Sequence, residues 1–117
     1  MPYLPGSHII ASLSSKNLPL LQNFGAFRSA ADKWITEFGL NKLGEVYHDF
    51  QPSGFTAVVC LSESHLAIHT WPEFGRISLD IYLSNHQRNN DGTVRAIYQA
   101  IVQFFEAGIL QEQTLQR

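Results

Sequence analysis

The sequence predicts an α+β two-layer sandwich, a largely antiparallel sheet with two helices packed on one face, formed by one domain over residues 1–117. Two segments space their apolar residues at helical intervals. Several short β-forming runs are cut from one another by Pro and Gly turns, and no linker, repeat or low-complexity tract divides them. A chain of 117 residues with 44% hydrophobic and 15% charged content can bury one real core but not two.

His8 to Leu13 reads as the first strand. Asn17 is placed to cap a helix with Pro19 in its first turn, where the missing N–H costs little. Leu20, Leu21, Phe24, Phe27, Ala31, Trp34, Ile35 and Phe38 then form one buried helical face, and Gly39 falls where a left-handed cap belongs. Strands are predicted at about 43–50, 55–62, 64–71 and 76–83. Pro52-Ser53-Gly54 separates the first two and Pro72-Glu73-Phe74-Gly75 the last two. Asn-Asn-Asp-Gly at 89–92 caps a second helix with Val94, Ile97, Tyr98, Ile101, Phe104 and Phe105 on one side. Gly108 closes it, and residues 109–115 add a final short strand.

Composition narrows the function. Net charge is −2 and the eight Lys and Arg residues are scattered, so no basic face invites nucleic acid or anionic lipid. No apolar run reaches membrane-span length, and Met-Pro-Tyr-Leu-Pro-Gly lacks the regions of a signal peptide. The lone cysteine, Cys60, excludes an internal disulfide and a thiolate metal cluster. A cytoplasmic setting is the default expectation, with Cys60 read as a buried, inert thiol in mid-strand.

Reactive chemistry concentrates in Leu61–Glu73, where Ser64, His65, His69, Glu63 and Glu73 share a β-forming run. Metal binding is disfavoured, because on a strand His65 and His69 stand roughly 13 Å apart. A Ser-His-Asp hydrolase using Asp80 lacks a Gly-x-Ser-x-Gly elbow around Ser64. Self-processing is the third option: a serine hydroxyl attacks the preceding carbonyl, and elimination of the ester leaves a dehydroalanine that hydrolyses to pyruvoyl. That chemistry demands strain or oxyanion donors at the 63–64 bond and a nearby imidazole. Strand alternation sets Ser64 and His69 on opposite faces, so a site shared by them requires irregular backbone near Ser64.

The run Ser-Glu-Ser-His-x-x-Ile-His-Thr-Trp-Pro-Glu, preceded by Phe50-x-Pro-x-Gly and by Gly6-Ser7-His8, resembles the bacterial and archaeal S-adenosylmethionine decarboxylase proenzymes. The likeness extends to about the second helix. It implies cleavage into residues 1–63 and 64–117, with Ser64 becoming a covalent pyruvoyl cofactor and Glu63 the new C-terminus. His69 resembles the imidazole that serves elimination, and Thr56 the small hydroxyl residue that helps the ester step. Phe50 resembles the aromatic that stacks on adenine, and Glu73 the carboxylate that holds the ribose hydroxyls. The implied activity is decarboxylation of S-adenosylmethionine through a Schiff base, for spermidine synthesis, by a homodimer of processed protomers with a small-molecule substrate.

The likeness breaks past Asp80. Ser84 stands where the family keeps a proton-donating cysteine, and a hydroxyl is a far weaker acid than a thiol. Arg76 occupies a position where an aromatic is common, and Ser12-Leu13-Ser14-Ser15 lacks the family's acidic and cysteine residues. Two other readings stay open on these departures: pyruvoyl-dependent decarboxylation of another amino acid such as arginine or ornithine, and a non-catalytic paralogue acting as a binding or regulatory subunit.

Overall fold

Alternation of buried and exposed residues along the strands builds the molecule. The computed structural model describes residues 2–117. In chain order it contains β1 (Ser7–Ser14), α1 (Leu18–Gln22), α2 (Gly25–Glu37), β2 (Lys42–Asp49), β3 (Phe55–Leu61), β4 (Ser64–Trp71), a 3-10 turn (Pro72–Phe74), β5 (Arg76–Leu83), α3 (Asp91–Phe104) and β6 (Gly108–Gln116). The strands form one sheet in the order β2-β3-β4-β5-β1-β6. Every neighbouring pair is antiparallel. No described helix is long and apolar enough to cross a membrane.

One face of the sheet meets the helices. Ile9, Ala11 and Leu13 of β1, Phe55, Ala57 and Val59 of β3, Leu66 and Ile68 of β4, and Ile77 to Leu83 of β5 at alternate positions are buried there. Val94, Ile97 and Ile101 of α3 and Phe27, Ala31 and Ile35 of α2 close over them. Phe27 joins the layers: its ring stacks on Phe105 at 5.9 Å and lies 5.8 Å from Phe55. The opposite face has no helix over it. His8, Ile10, Val46, Val58, Cys60, His65, His69 and Asp80 lie on it by register.

Three expectations are corrected. The predicted first helix is two helices, because long-range partners capture its backbone: Thr70 Oγ1 donates to Leu21 O at 2.8 Å and Gly54 N–H to Gln22 O at 2.8 Å. Asn23 is extended, and Phe24 N–H donates to Asp49 Oδ1 at 2.9 Å. Gly39, as expected, is left-handed at φ 66°, with Leu40 N–H on Ile35 O. The second helix closes on Glu106 at φ 51°, followed by Ala107 N–H on Val102 O, while Gly108 already begins β6. Its start is also different in detail: Asn90 caps with no side-chain bond, its Nδ2 donating to Ser84 O at 2.8 Å while its buried Oδ1 accepts from no helix N–H. Cys60 is exposed, since Val59 and Leu61 take the helix side and leave it on the open face.

Candidate active site

Ser64 is the first residue of β4, reached through a two-residue hairpin loop, Ser62-Glu63, from β3. Leu61 and Leu83 flank it in register. Its φ is 139°, and it is one of two described non-glycine residues in that sparsely allowed region. Alternation therefore does not fix the direction of its side chain.

The bond before it is gripped on several sides. Ser62 N–H donates to Asn41 O at 2.9 Å, and Ser84 N–H donates to Glu63 O at 2.8 Å. A serine attacking the Glu63 carbonyl would thus find that oxygen already on a backbone donor. The Glu63 carboxylate accepts from Arg88 Nε at 3.1 Å and Arg88 Nη2 at 3.0 Å. This guanidinium holds the Glu63 carboxyl below its ordinary range.

Ser84 follows β5, so it stands beside the Glu63 carbonyl although twenty positions separate it from Ser64. It lines a cleft of about 90 Å³ with Tyr3, Leu4, Tyr82 and His86. The N-terminal segment passes so close that a Cβ on Gly6 would lie 2.3 Å from Leu83 O, which makes glycine obligatory there. Hydrogen bonding to Tyr3 and burial push the Tyr82 hydroxyl up, leaving it a poorer acid.

The other predicted site residues gather at the far end of β4. Thr56 Oγ1 is hydrogen-bonded to His69 Nδ1 across the β3–β4 ladder. A cavity of about 390 Å³ is lined by Phe50, Pro52, Phe55, His69, Trp71 and Glu73, among others. Gly54 at φ 99° shapes its rim; a Cβ there would meet Thr70 O and Pro72 Cδ at 3.1 Å. Phe50 is 47% exposed and so is no core residue; His48 meets it edge to face at 4.8 Å.

The structure thus sorts the seven predicted residues into two groups: Glu63, Ser64 and Ser84 at one end of β4, and Phe50, Thr56, His69 and Glu73 at the other. His69 lies five residues along the strand from Ser64, roughly 16 Å. Within one chain they do not meet.

Sequence reasoning missed Arg88 and a network on the open face. His8, His65 and Asp80 bring ligand atoms within 4.8 Å of one another, a spacing that could suit a divalent ion. Asp80 Oδ1 bonds His8 Nε2 and, at 3.1 Å, His65 Nε2. Arg117 Nη1, which can only donate, points at His8 Nδ1 at 3.2 Å. That contact puts the His8 proton on Nε2, toward Asp80, and removes the lone pair that a metal would need. The cluster is built as a hydrogen-bond chain. The Gly6-Ser7-His8 motif pointed at His8, but its Asp80 partner lies 72 positions away.

A single antiparallel sheet covered on one side by helices, with a strained serine in one of its hairpins and an open cavity at that hairpin's other end, defines a two-layer α+β protein with the parts of an enzyme. The S-adenosylmethionine decarboxylase family model matches residues 7–117, and the chain belongs to that family. An S-adenosylmethionine decarboxylase proenzyme of Archaeoglobus fulgidus is 42% identical over 77 residues, 66% of this chain and 69% of that protein. Its namesake in Persephonella marina is 38% identical over 77 residues, 66% of this chain and 58% of that protein. The matched segments therefore span roughly three-fifths to two-thirds of these relatives. The crystal structure of the adenosylmethionine decarboxylase of Aquifex aeolicus superposes with a TM-score of 0.79 at 25% identity, covering 99% of this chain and 91% of that one. The α+β class expected from the sequence is the observed one.

Proposed function

We propose that the chain is a self-processing, pyruvoyl-dependent decarboxylase of S-adenosylmethionine, working in the cytoplasm for spermidine synthesis as a homodimer of processed protomers. The observation that carries this reading is the Glu63–Ser64 junction: a serine at φ 139° whose preceding carbonyl accepts the Ser84 N–H.

Ser64 Oγ attacks the Glu63 carbonyl carbon, and Ser84 N–H meets the negative charge growing on the oxygen. The bond to the Ser64 nitrogen breaks, which relieves backbone strain and leaves an ester. Removal of the residue 64 α-proton expels the Glu63 carboxylate; water then replaces the nitrogen, released as ammonia, to give the ketone. The pyruvoyl carbonyl supplies a covalent hold on the substrate amine and an electron sink as carbon dioxide departs. Phe50 and Glu73 hold adenine and ribose in a cavity of about 390 Å³, within the roughly 300–1,000 Å³ usual for small ligands. A stacking ring beside a carboxylate suits a nucleoside, with the base on the ring and the ribose hydroxyls on the carboxylate. Ser84 stands beside the reacting centre as a weak acid.

His69 is needed for elimination, yet within its own chain it sits roughly 16 Å from Ser64. A second copy resolves this. Two chains meeting through their open faces about a twofold axis that lies across their strands would bring the Ser64 end of one against the His69 end of the other. Val46, Val58 and Ile10, 66%, 44% and 40% exposed, give that face the apolar surface for it.

The test is an intact mass of the purified protein. Two pieces, 1–63 and 64–117, are expected, the second blocked to N-terminal sequencing. A chain that stays whole after long incubation would install the non-catalytic reading instead.

A further inference from the structure

Resting on the self-cleavage reading, we propose that Arg88 is a positioning residue for cleavage at Glu63–Ser64 and afterwards retains the cut end of the 1–63 chain. Its Nε and Nη2 donate to different oxygens of Glu63, at 3.1 and 3.0 Å, a planar two-point contact that fixes carboxylate orientation as well as position. Nη2 also reaches Phe38 O and Gly39 O, both at 3.3 Å, at the negative end of the α2 dipole. Glu63 is thereby tied through Arg88 to a helix terminus. Its side chain is only 13% exposed, so without the guanidinium a carboxylate would be left poorly hydrated and free to seek water by rotating out.

That rotation matters because the scissile carbonyl belongs to the same residue. The loop 84–90 grips Glu63 twice, by its main chain through Ser84 N–H and by its side chain through Arg88. The loop is itself braced: Asn90 N–H donates to Asn85 Oδ1 at 2.7 Å and Asn90 Nδ2 to Ser84 O at 2.8 Å. The two grips together hold the carbonyl on its oxyanion donor while Ser64 carries the positive φ. Cleavage then adds a second negative charge to Glu63, so the guanidinium holds the new C-terminus more strongly once the covalent tether is gone.

The experiment follows cleavage of freshly translated chain over time on denaturing gels, with retention of the 1–63 piece scored by gel filtration. Arg88→Ala should slow cleavage by at least about tenfold, as loss of near-attack geometry does, and any cut product should shed residues 1–63. Arg88→Lys should fall between, since one ammonium cannot span both oxygens. Added methylguanidinium should restore part of the Arg88→Ala rate and leave the wild type unchanged, a response that a merely structural role would not give. The fold control is melting of uncleavable Ser64→Ala with and without Arg88→Ala, which should coincide. Wild-type cleavage rates and full retention in Arg88→Ala would overturn the proposal. So would slow cleavage with a lowered melting point and no response to methylguanidinium, which would make Arg88 a brace of the fold. An uncut wild-type chain would instead remove the self-cleavage reading, and this proposal with it.

Discussion

The two ends of β4 are built for different work. Its first residue, Ser64, is held in strained backbone, with the preceding carbonyl on a backbone donor and the preceding carboxylate on a guanidinium. Its other end carries regular strand: His69 faces Thr56 in ladder register, and Phe50 and Glu73 open a cavity beside them. On the proposed reading one end breaks a bond, and the other moves a proton and grips a nucleoside. A rigid strand keeps them roughly 16 Å apart, so on that reading a single chain holds halves of two different sites.

That contrast can be broken residue by residue. Ser64→Ala removes the attacking oxygen and should abolish cleavage outright, leaving one 117-residue band on gels with no decarboxylation. At the other end Phe50→Ala and Glu73→Gln should leave cleavage intact and raise the Michaelis constant for S-adenosylmethionine by about tenfold, since base stacking contributes ~1–3 kcal/mol. If either substitution stops cleavage, nucleoside binding and cleavage are not separate functions; faster turnover of free arginine would point to a different substrate. Ser84→Cys should raise turnover by up to about tenfold, which asks only about 1.4 kcal/mol of the barrier from a better acid. It should also slow any loss of activity during turnover, because protonation then reaches the substrate carbon before the cofactor carbon. An unchanged rate would assign the proton to another group in that cleft. The smallest effect concerns pH. Arg88 depresses the Glu63 carboxyl below its ordinary value of 4.5, so the ion pair is complete above that value. Its contribution to cleavage should persist from neutral pH down to the ordinary carboxylate range and fade only as pH drops through the lowered value. Arg88→Ala should remove that acid limb from the cleavage profile.

Much of this was legible in the sequence, for local reasons. Strands 64–71 and 76–83 have the predicted ends because the Pro72–Gly75 turn divides them and buried residues alternate along most of each. The break at Asn23 was hidden, since the groups that capture Leu21 and Gln22 carbonyls come from Thr70 and Gly54. Glu106 adopts the left-handed cap that composition assigned to Gly108, supported by an Asn17 amide 89 positions away on its carboxylate. Arg88 was invisible for the same reason: nothing in a 25-residue separation announces that two side chains will meet. The resemblance named Ser64 and His69 together, and strand alternation already set them on opposite faces; what the sequence did not show is that strand length also holds them roughly 16 Å apart.

The most direct measurement uses two defective chains at once. Ser64→Ala and His69→Ala variants should each fail to yield a mature 64–117 piece alone. Co-expressed, they should form mixed dimers in which Ser64 of the His69→Ala chain faces His69 of the Ser64→Ala chain. With random pairing about half of the His69→Ala chains should then mature, since about half find the complementary partner. No maturation in the mixture, from variants that dimerise normally, would contradict the account and require Ser64 and His69 to meet within one chain.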